Sequence, residues 1–413
     1  MSIPDRTLSL IRYGYDFGRR ECERRASDAV ELRLLGRPVT LLRGPRAAQA
    51  FYSDRVARAG ALPRRVQRTL VGNATVQNLD GPDHHARKGL FLNLVGPDRV
   101  PELVEAFEVE WRRRLPSWQR QGRIVLYDEV AEALCTSVAA FAAVPLPERD
   151  VFRRTGQLHG LIEGAGAIGP RHWRGRLARR QAERWTAGLV GAVRTGHLDP
   201  PPASALRAWA DHREPDGSLL QRRTAGSELL NVLRPTVAVD RFIVFAALAL
   251  HRHPDWAQRV RHGTDDDVEH FVHEVRRTTP FFPAVGALAA RPFTVEGTDV
   301  PEGRLVLLDL HASNHEPGVW NNPDRFDPDR FRDLRSGPYD LVPQGGGEHS
   351  TGHRCPGEWA VIALMSAAVR LLTREMTYAV PEQDLSVRLN RVPAIPRSRM
   401  VIDRVQRAVL APR

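Results

Sequence analysis

The stretch Gln344-Gly345-Gly346-Gly347-Glu348-His349-Ser350-Thr351-Gly352-His353-Arg354-Cys355-Pro356-Gly357-Glu358 decides how the chain is read. Glycines ahead of a cysteine let the backbone turn tightly and run close to a planar ligand. Pro356 suits the first position of a helix, where its missing N–H is no loss. A helix from Glu358 to Arg370 would point its positive end at the Cys355 sulfur. That end, with nearby N–H groups, favours a thiolate over a thiol. Taken alone, a cysteine in such a turn is more often a buried structural residue. Its neighbours in the sequence change that reading.

Working outward, Pro323-Asp324-Arg325-Phe326-Asp327-Pro328-Asp329-Arg330-Phe331 lies about one loop upstream. Further upstream, Glu274-Val275-Arg276-Arg277 sits in a helical pattern. Its Glu274 and Arg277 share a helix face, and with Arg330 they can form a buried ionic triad. Each piece is weak by itself. Their order and separations make them strong together.

The elements around these motifs are legible in outline. Val30 to Leu34 alternates apolar and charged residues, Gly36-Arg37-Pro38 follows, and Val39 to Leu42 completes a β-hairpin. Long helical patterns dominate from about 83 to 280, including Val100 to Gln119, Val125 to Ala143 and Arg171 to Val193. A second β-rich stretch runs from about 285 to 311, and a final helix from near Pro356 to about Thr373. The pattern predicts one mainly α domain over 1–413 with a small β lobe, its β-rich parts at about 29–43 and 285–311.

Composition narrows the function. The chain has 413 residues, a formal net charge of +11, 42% hydrophobic and 26% charged residues, an ordinary globular balance. The cations are nearly all arginine, scattered and often beside acids, so nucleic acid is not the expected partner. A basic surface can still attract anionic substrates. Three cysteines, Cys22, Cys135 and Cys355, make no disulfide framework. Met1 to Tyr15 lacks the apolar core of a signal peptide, and Phe242 to Leu250 is too short to span a bilayer. The expectation is a soluble, cytoplasmic protein.

Glu274 to Arg277, Phe326 to Phe331 and the Cys355 loop, in that order, resemble the cytochrome P-450 superfamily. The resemblance covers most of the chain. It implies a mainly α fold with haem b between a long central helix and the cysteine loop, and Cys355 as the metal ligand. A thiolate on haem iron supplies the electron push that breaks an O–O bond. The chain departs from the family at Glu348, where a phenylalanine is usual, so the local loop spacing is altered. Cys22 and Cys135 have no such loop. By the same resemblance His84, Arg87 and Lys88, which follow Asp80-Gly81-Pro82, and His353 are the candidate partners of the anionic haem propionates.

The central helix is unusual. Oxygen-using members of the superfamily place an acid and an alcohol over the haem, and here Arg234-Pro235 stands in that place. Proline inside a helix costs about 3 kcal/mol, and an arginine in an apolar pocket is costly unless an anion answers it. The residues alone leave two readings even: Arg234 pairs with an internal acid, Asp240 or Glu228, or it clamps a carboxylate-bearing substrate through two parallel hydrogen bonds. Arg234-Pro235-Thr236-Val237-Ala238, with the Cys355 loop, resembles the peroxygenase branch, which uses hydrogen peroxide to hydroxylate fatty acids at the α or β carbon. That resemblance implies that the substrate carboxylate is the acid–base group and that no redox partner is required. It also implies that Gln77 lies near haem and substrate and favours hydroxylation over alkene formation. Leu79, Phe281, Phe282 and Val285 would line the alkyl channel. A reductase-fed monooxygenase and a haem-binding sensor without turnover are the rival expectations.

Overall fold

In the hairpin near the N-terminus, the alternation of Val30 to Leu34 puts Val30 and Leu32 into the interior and Arg33 outward. The strands Ala29–Leu34 and Arg37–Leu42 pair antiparallel from Ala29 with Leu42 to Leu34 with Arg37. The two turn residues, Leu35 and Gly36, both have positive φ, 51° and 73°, as a tight hairpin of this length requires. In the computed structural model, which describes residues 3–167, 169–332 and 337–408, this hairpin opens a five-stranded sheet. Arg37–Leu42 pairs parallel with Leu305–Asp309, which pairs antiparallel with Ala284–Ala289, and Val56–Ala57 closes the edge. Both β-rich stretches expected from the sequence therefore meet in one sheet.

A second sheet was not foreseen. Val401–Arg407 lies between Arg123–Val125 and Met376–Ala379. Strands of three and four residues are too short to show an alternation, and their partners are remote in sequence.

The rest is helical. The observed helices Val100–Gln121, Leu126–Phe141 and Pro170–Arg194 fall within a few residues of the expected ones. A large apolar core runs from Val76 to Val405, with Phe107, Trp111, Trp118 and Trp209 almost fully buried. Three features position the site. The helix Asp265–Thr278 is fixed at its start by a capping box, in which Thr264 and Asp267 satisfy each other's backbone N–H groups. The final helix, Glu358–Arg370, begins two residues after Pro356 and continues as a π turn over Leu371–Glu375. The central helix Arg222–Val237 carries Pro235 inside it and breaks at Ala238, from which Val239–Arg252 continues. The interruption thus falls one turn beyond the Arg234 side chain.

Candidate active site

The cysteine loop is built as a turn held from three sides. Gly345 and Gly347 have φ of 94° and 83°, and a Cβ on Gly345 would meet the Tyr52 hydroxyl at 2.8 Å. The Cys355 N–H donates to the Gln344 carbonyl at 3.1 Å. The Gln344 side-chain oxygen in turn accepts from Arg276 at 3.0 Å, and Arg276 also donates to Glu358 at 2.5 Å. Arg354 closes the circuit onto Glu358 at 2.6 Å. Cys22 and Cys135 are buried throughout, whereas Cys355 keeps some exposed surface as a residue although its sulfur lies deep. Burial pushes the Cys355 thiol up; the Gly357 N–H, Lys88 and Gln344 pull the other way. Glu348 is exposed and bonds Ser350 at 2.8 Å, so the position that usually holds phenylalanine presents its side chain to solvent.

Behind the loop, Glu274 accepts from Arg277 at 2.7 and 2.8 Å and from Arg330 at 3.2 Å. Glu274 and Arg277 have no exposed surface. Arg277 also donates to the Asn314 carbonyl at 2.8 Å, and the Asp327 N–H reaches Glu274 at 2.8 Å. Breaking a buried pair of this kind costs about 3–5 kcal/mol, because the surviving charge is left unanswered.

Above the loop stands Arg234, 6% exposed. Among the described residues the one hydrogen bond of its side chain is donated to the neutral Asn231 side-chain oxygen at 3.1 Å, and its Nε has no partner. Neither acid weighed from the sequence takes it. Asp240 is held by Arg241 at 3.2 Å and His159 at 2.5 Å. Glu228 accepts from Arg87 at 3.1 Å, from Asn231 at 2.9 Å and from the Val76 N–H at 2.8 Å. Burial, with the charge of Arg179 nearby, pushes Arg234 down to about 9; Cys355 is close enough to oppose this. The guanidinium is therefore charged at neutral pH, buried, and without a carboxylate among the described residues.

Asn231 was missed by sequence reasoning. It links Arg234 to Gln77, whose side-chain oxygen accepts from the Asn231 amide at 3.3 Å. Gln77 lies in the short turn Val76–Asn78, with Leu79 directly after it. An asparagine one helical turn before Arg234 has no motif of its own, and only the spacing of three could have suggested the contact.

The expected propionate cluster is only partly assembled. His84 and His353 stack with ring centroids 3.9 Å apart, and His353 lies 3.3 Å from Asp80. Burial lowers His84 to about 4 and His353 to about 3, so both are neutral near pH 7. Arg87 and Lys88 are engaged otherwise. Arg87 turns to Glu214 and Glu228, since the buried Glu228 needs a cation. Lys88 donates to the carbonyls of Gly352 and Arg354, at 2.9 Å for the first, and so ties down the cysteine loop. The buried cation beside the two histidines is instead Arg58. It donates to the Gly286 carbonyl at 3.0 Å, lies 4.2 Å over the Phe51 ring, and has no carboxylate at ion-pair distance among the described residues. Arg58 sits outside every motif, in the edge strand's turn, and the sequence gives no signal for it.

The residues expected to line an alkyl channel include two aromatic contacts. Phe281 contacts Phe242 and Phe282 at centroid distances of 4.6 and 5.2 Å. Phe281, Val285 and Leu79 are half-buried and Phe282 is exposed.

The donor set fits haem b. Cys355 offers one sulfur on a glycine-rich turn, the donor that would hold the iron of a porphyrin, whose remaining ligands the macrocycle itself would supply. Arg58, a buried cation without a carboxylate at ion-pair distance among the described residues, suits the acid groups of the macrocycle.

A thiolate loop facing a buried guanidinium, braced by a Glu–Arg–Arg triad, defines a haem-thiolate oxidoreductase, and the chain belongs to the cytochrome P450 family. A model of that family, described as Cytochrome P450, matches residues 268–374. The chain stands with the fatty-acid branch that its Arg234-Pro235 and cysteine-loop motifs resemble. It is similar to cytochrome P450SP alpha (CYP152B1) in complex with (R)-ibuprophen, at 44% identity and a TM-score of 0.95, covering 98% of this chain and 99% of that one. It is also similar to cytochrome P450EX alpha (CYP152N1) with myristic acid, at 38% identity and a TM-score of 0.94, over 99% of this chain and 100% of that one. A variant of cytochrome P450 OleT in complex with arachidonic acid matches at 29% identity and a TM-score of 0.96, over the whole of both chains. Putative cytochrome P450 138 of Mycobacterium tuberculosis is more distant, 25% identical over 82% of this chain and 80% of that protein. Among the described residues no helix is long and apolar enough to cross a membrane.

Proposed function

We propose that the chain, acting as one domain, is a peroxygenase that hydroxylates fatty acids at the α or β carbon with hydrogen peroxide and without a redox partner. The observation that carries this reading is Arg234, a buried charge whose one partner is a neutral amide oxygen. Burying an unanswered charge is costly, and a carboxylate relieves that cost through two parallel charge-assisted bonds. The myristic and arachidonic acids bound by the relatives belong to the same ligand class.

Bound haem b, ligated by Cys355, supplies the chemistry that transfers one oxygen atom from peroxide to a carbon. The protein's part is positional. Arg234 holds the carboxylate, so the α and β carbons are the part of the chain nearest the reacting centre, and Leu79, Phe281, Phe282 and Val285 take the alkyl tail. Among the described residues no acid pairs with Arg234, and the held carboxylate accepts a proton from hydrogen peroxide at one oxygen and returns it to the departing oxygen. The balance is one C–H and one H2O2 to one C–OH and one H2O. Pro235 has no N–H to compete for the carboxylate. Asn231 holds the guanidinium and is itself held by Gln77. Lys88, Arg276 and Glu358 fix the cysteine loop; Arg58, His84 and His353 answer the propionates; Glu274, Arg277 and Arg330 brace the rear.

Turnover of free fatty acid with hydrogen peroxide alone tests this. Hydroxylated product without any reductant supports it. Product only with a reductase, a ferredoxin and a reductant identifies a conventional monooxygenase, and peroxide that merely bleaches the haem identifies a non-catalytic haem protein.

A further inference from the structure

Two fully buried charges stand at the break in the central helix. Asp240 and Arg241 have no exposed surface and lie in the first turn of Val239–Arg252, just after Ala238. They pair with each other at 3.2 Å, and each is gripped by the helix Glu148–Ala165. His159 Nε2 donates to Asp240 at 2.5 Å, and Glu163 accepts from Arg241 at 2.6 Å. His159 and Glu163 are four residues apart and share a helix face, so the two bonds form a two-point clamp between the helices. The clamp is itself held. The Tyr127 ring stacks on His159 with centroids 4.8 Å apart and planes 9° from parallel, and the Arg241 guanidinium lies 5.2 Å over the same ring. Arg171 and Arg391 reach the second oxygen of Glu163 at 3.2 and 3.1 Å.

Charges this deep are not needed to pack two helices, since apolar residues of similar volume often hold a fold as well or better. What charges at fixed points add is direction, and direction is what the break lacks. Pro235 has no N–H, so the Asn231 carbonyl loses its bond within the helix. Across the break the Ala238 N–H donates to the Arg234 carbonyl at 3.0 Å, and the Arg241 N–H donates to the Ala238 carbonyl at 3.3 Å. Arg241 therefore belongs to both systems. Its side chain is in the clamp, and its backbone is two hydrogen bonds away from Arg234. On the next residue, Phe242 meets Phe281 of the expected alkyl channel at a centroid distance of 4.6 Å.

We propose that His159 and Glu163, acting through Asp240 and Arg241, are positioning residues that set where Arg234 holds the substrate carboxylate, and so which of the α and β carbons is oxidised. This rests on the peroxygenase reading above. The two carbons are one bond apart, so a small displacement of the guanidinium exchanges them at the reacting centre. Misplacement by about 1 Å, caused from a site that touches no substrate, can change a rate about 10²-fold.

The test compares His159→Phe with His159→Gln in the haem-loaded enzyme. Phenylalanine keeps the stack on Tyr127 and loses the bond to Asp240, whereas glutamine keeps a donor for it. Two quantities are read. One is the ratio of α- to β-hydroxy acid made from myristic acid and hydrogen peroxide. The other is the amplitude of the haem absorbance change at saturating myristic acid without peroxide. His159→Phe shifts the ratio about tenfold and changes the amplitude, while His159→Gln stays close to wild type in both. If His159→Phe does not fold, Glu163→Gln decides in its place. It leaves Arg241 its bond to Asp240 and shifts the ratio by a smaller factor. A merely structural role lowers the urea midpoint and the yield of folded enzyme without moving the ratio, which is a property of the molecules that are folded. An unchanged ratio therefore overturns the proposal, as does a shift in His159→Gln as large as that in His159→Phe. If wild type makes no hydroxy acid with peroxide alone, the peroxygenase reading fails, and the amplitude decides the effect of the clamp on the bound carboxylate by itself: an amplitude equal to wild type in His159→Phe overturns it.

Discussion

Asn231→Asp puts a carboxylate where Arg234 has only a neutral amide oxygen. The present contact is 3.1 Å. Two unit charges at that separation attract by about 5 kcal/mol at an effective dielectric of about 20, an upper bound. Glu228 works against the new charge, since its oxygen lies 2.9 Å from the Asn231 nitrogen. What remains is about one charge-assisted hydrogen bond, about 1.5–3 kcal/mol. If Arg234 clamps the substrate carboxylate, the internal acid competes with it, and the Kd for a free fatty acid rises about tenfold to a hundredfold. The loss is larger at high pH, because Glu228 and the introduced carboxyl resist ionising together. Asn231→Leu, which adds no charge, weakens binding far less. The assay is titration of the haem-loaded variants with myristic acid, followed by the change in haem absorbance, at two pH values. Equal affinity in wild type and Asn231→Asp at both would refute the reasoning, because Arg234 would then not be the anion site.

Other expectations follow from the same geometry. Cys355→Ala abolishes the carbon-monoxide difference band of thiolate-ligated haem, while an unchanged spectrum would mean that another cysteine binds the iron. With Gln77 in place, product analysis by gas chromatography shows hydroxy acids ahead of terminal alkenes; mostly alkene would disprove the assigned role of Gln77. Burial opposes ionisation of Glu358, yet Arg276 and Arg354 hold it down to about 2, below an unfolded value of about 4.3. Its contribution to stability is therefore present above about pH 4 and lost as pH falls toward 2. Glu358→Gln lowers the urea midpoint at pH 7 and flattens its decline over that acid range, and parallel pH profiles for the two proteins would contradict the assignment.

The features read correctly from the sequence are those that local chemistry specifies. The glycines before Cys355, Pro356, the alternation of Val30 to Leu34 and the Glu274–Arg277 spacing each act within a few residues. What could not be read depends on which remote groups compete for a side chain. Arg87 looks free beside His84 in the sequence, but Glu228, far along the chain, is buried and claims it. Lys88 is drawn to the carbonyls of Gly352 and Arg354 for the same kind of reason. Arg58 is placed by the remote Gly286 carbonyl and Asp80 carboxylate, and Asn231 gains meaning only once Gln77 and Arg234 lie on either side of it. The residues alone left Arg234 open between an internal acid and a substrate; in the fold Asp240 and Glu228 are both engaged by other groups, which is the support for the substrate reading proposed above.

The central claim is that the substrate's carboxylate, held by Arg234, is part of the catalytic machinery. The most direct measurement compares peroxide-driven turnover of free fatty acids and of their methyl esters in wild type and in Arg234→Ala. Positioned proton transfer is worth about 10²–10⁴ in rate, so methyl esters, which cannot ionise, should turn over slower than free acids by about that factor in wild type. Arg234→Ala should lose most turnover of the free acids even at saturation, and Arg234→Lys should recover only part of it. Methyl esters oxidised as fast as free acids by the wild-type enzyme would contradict the account.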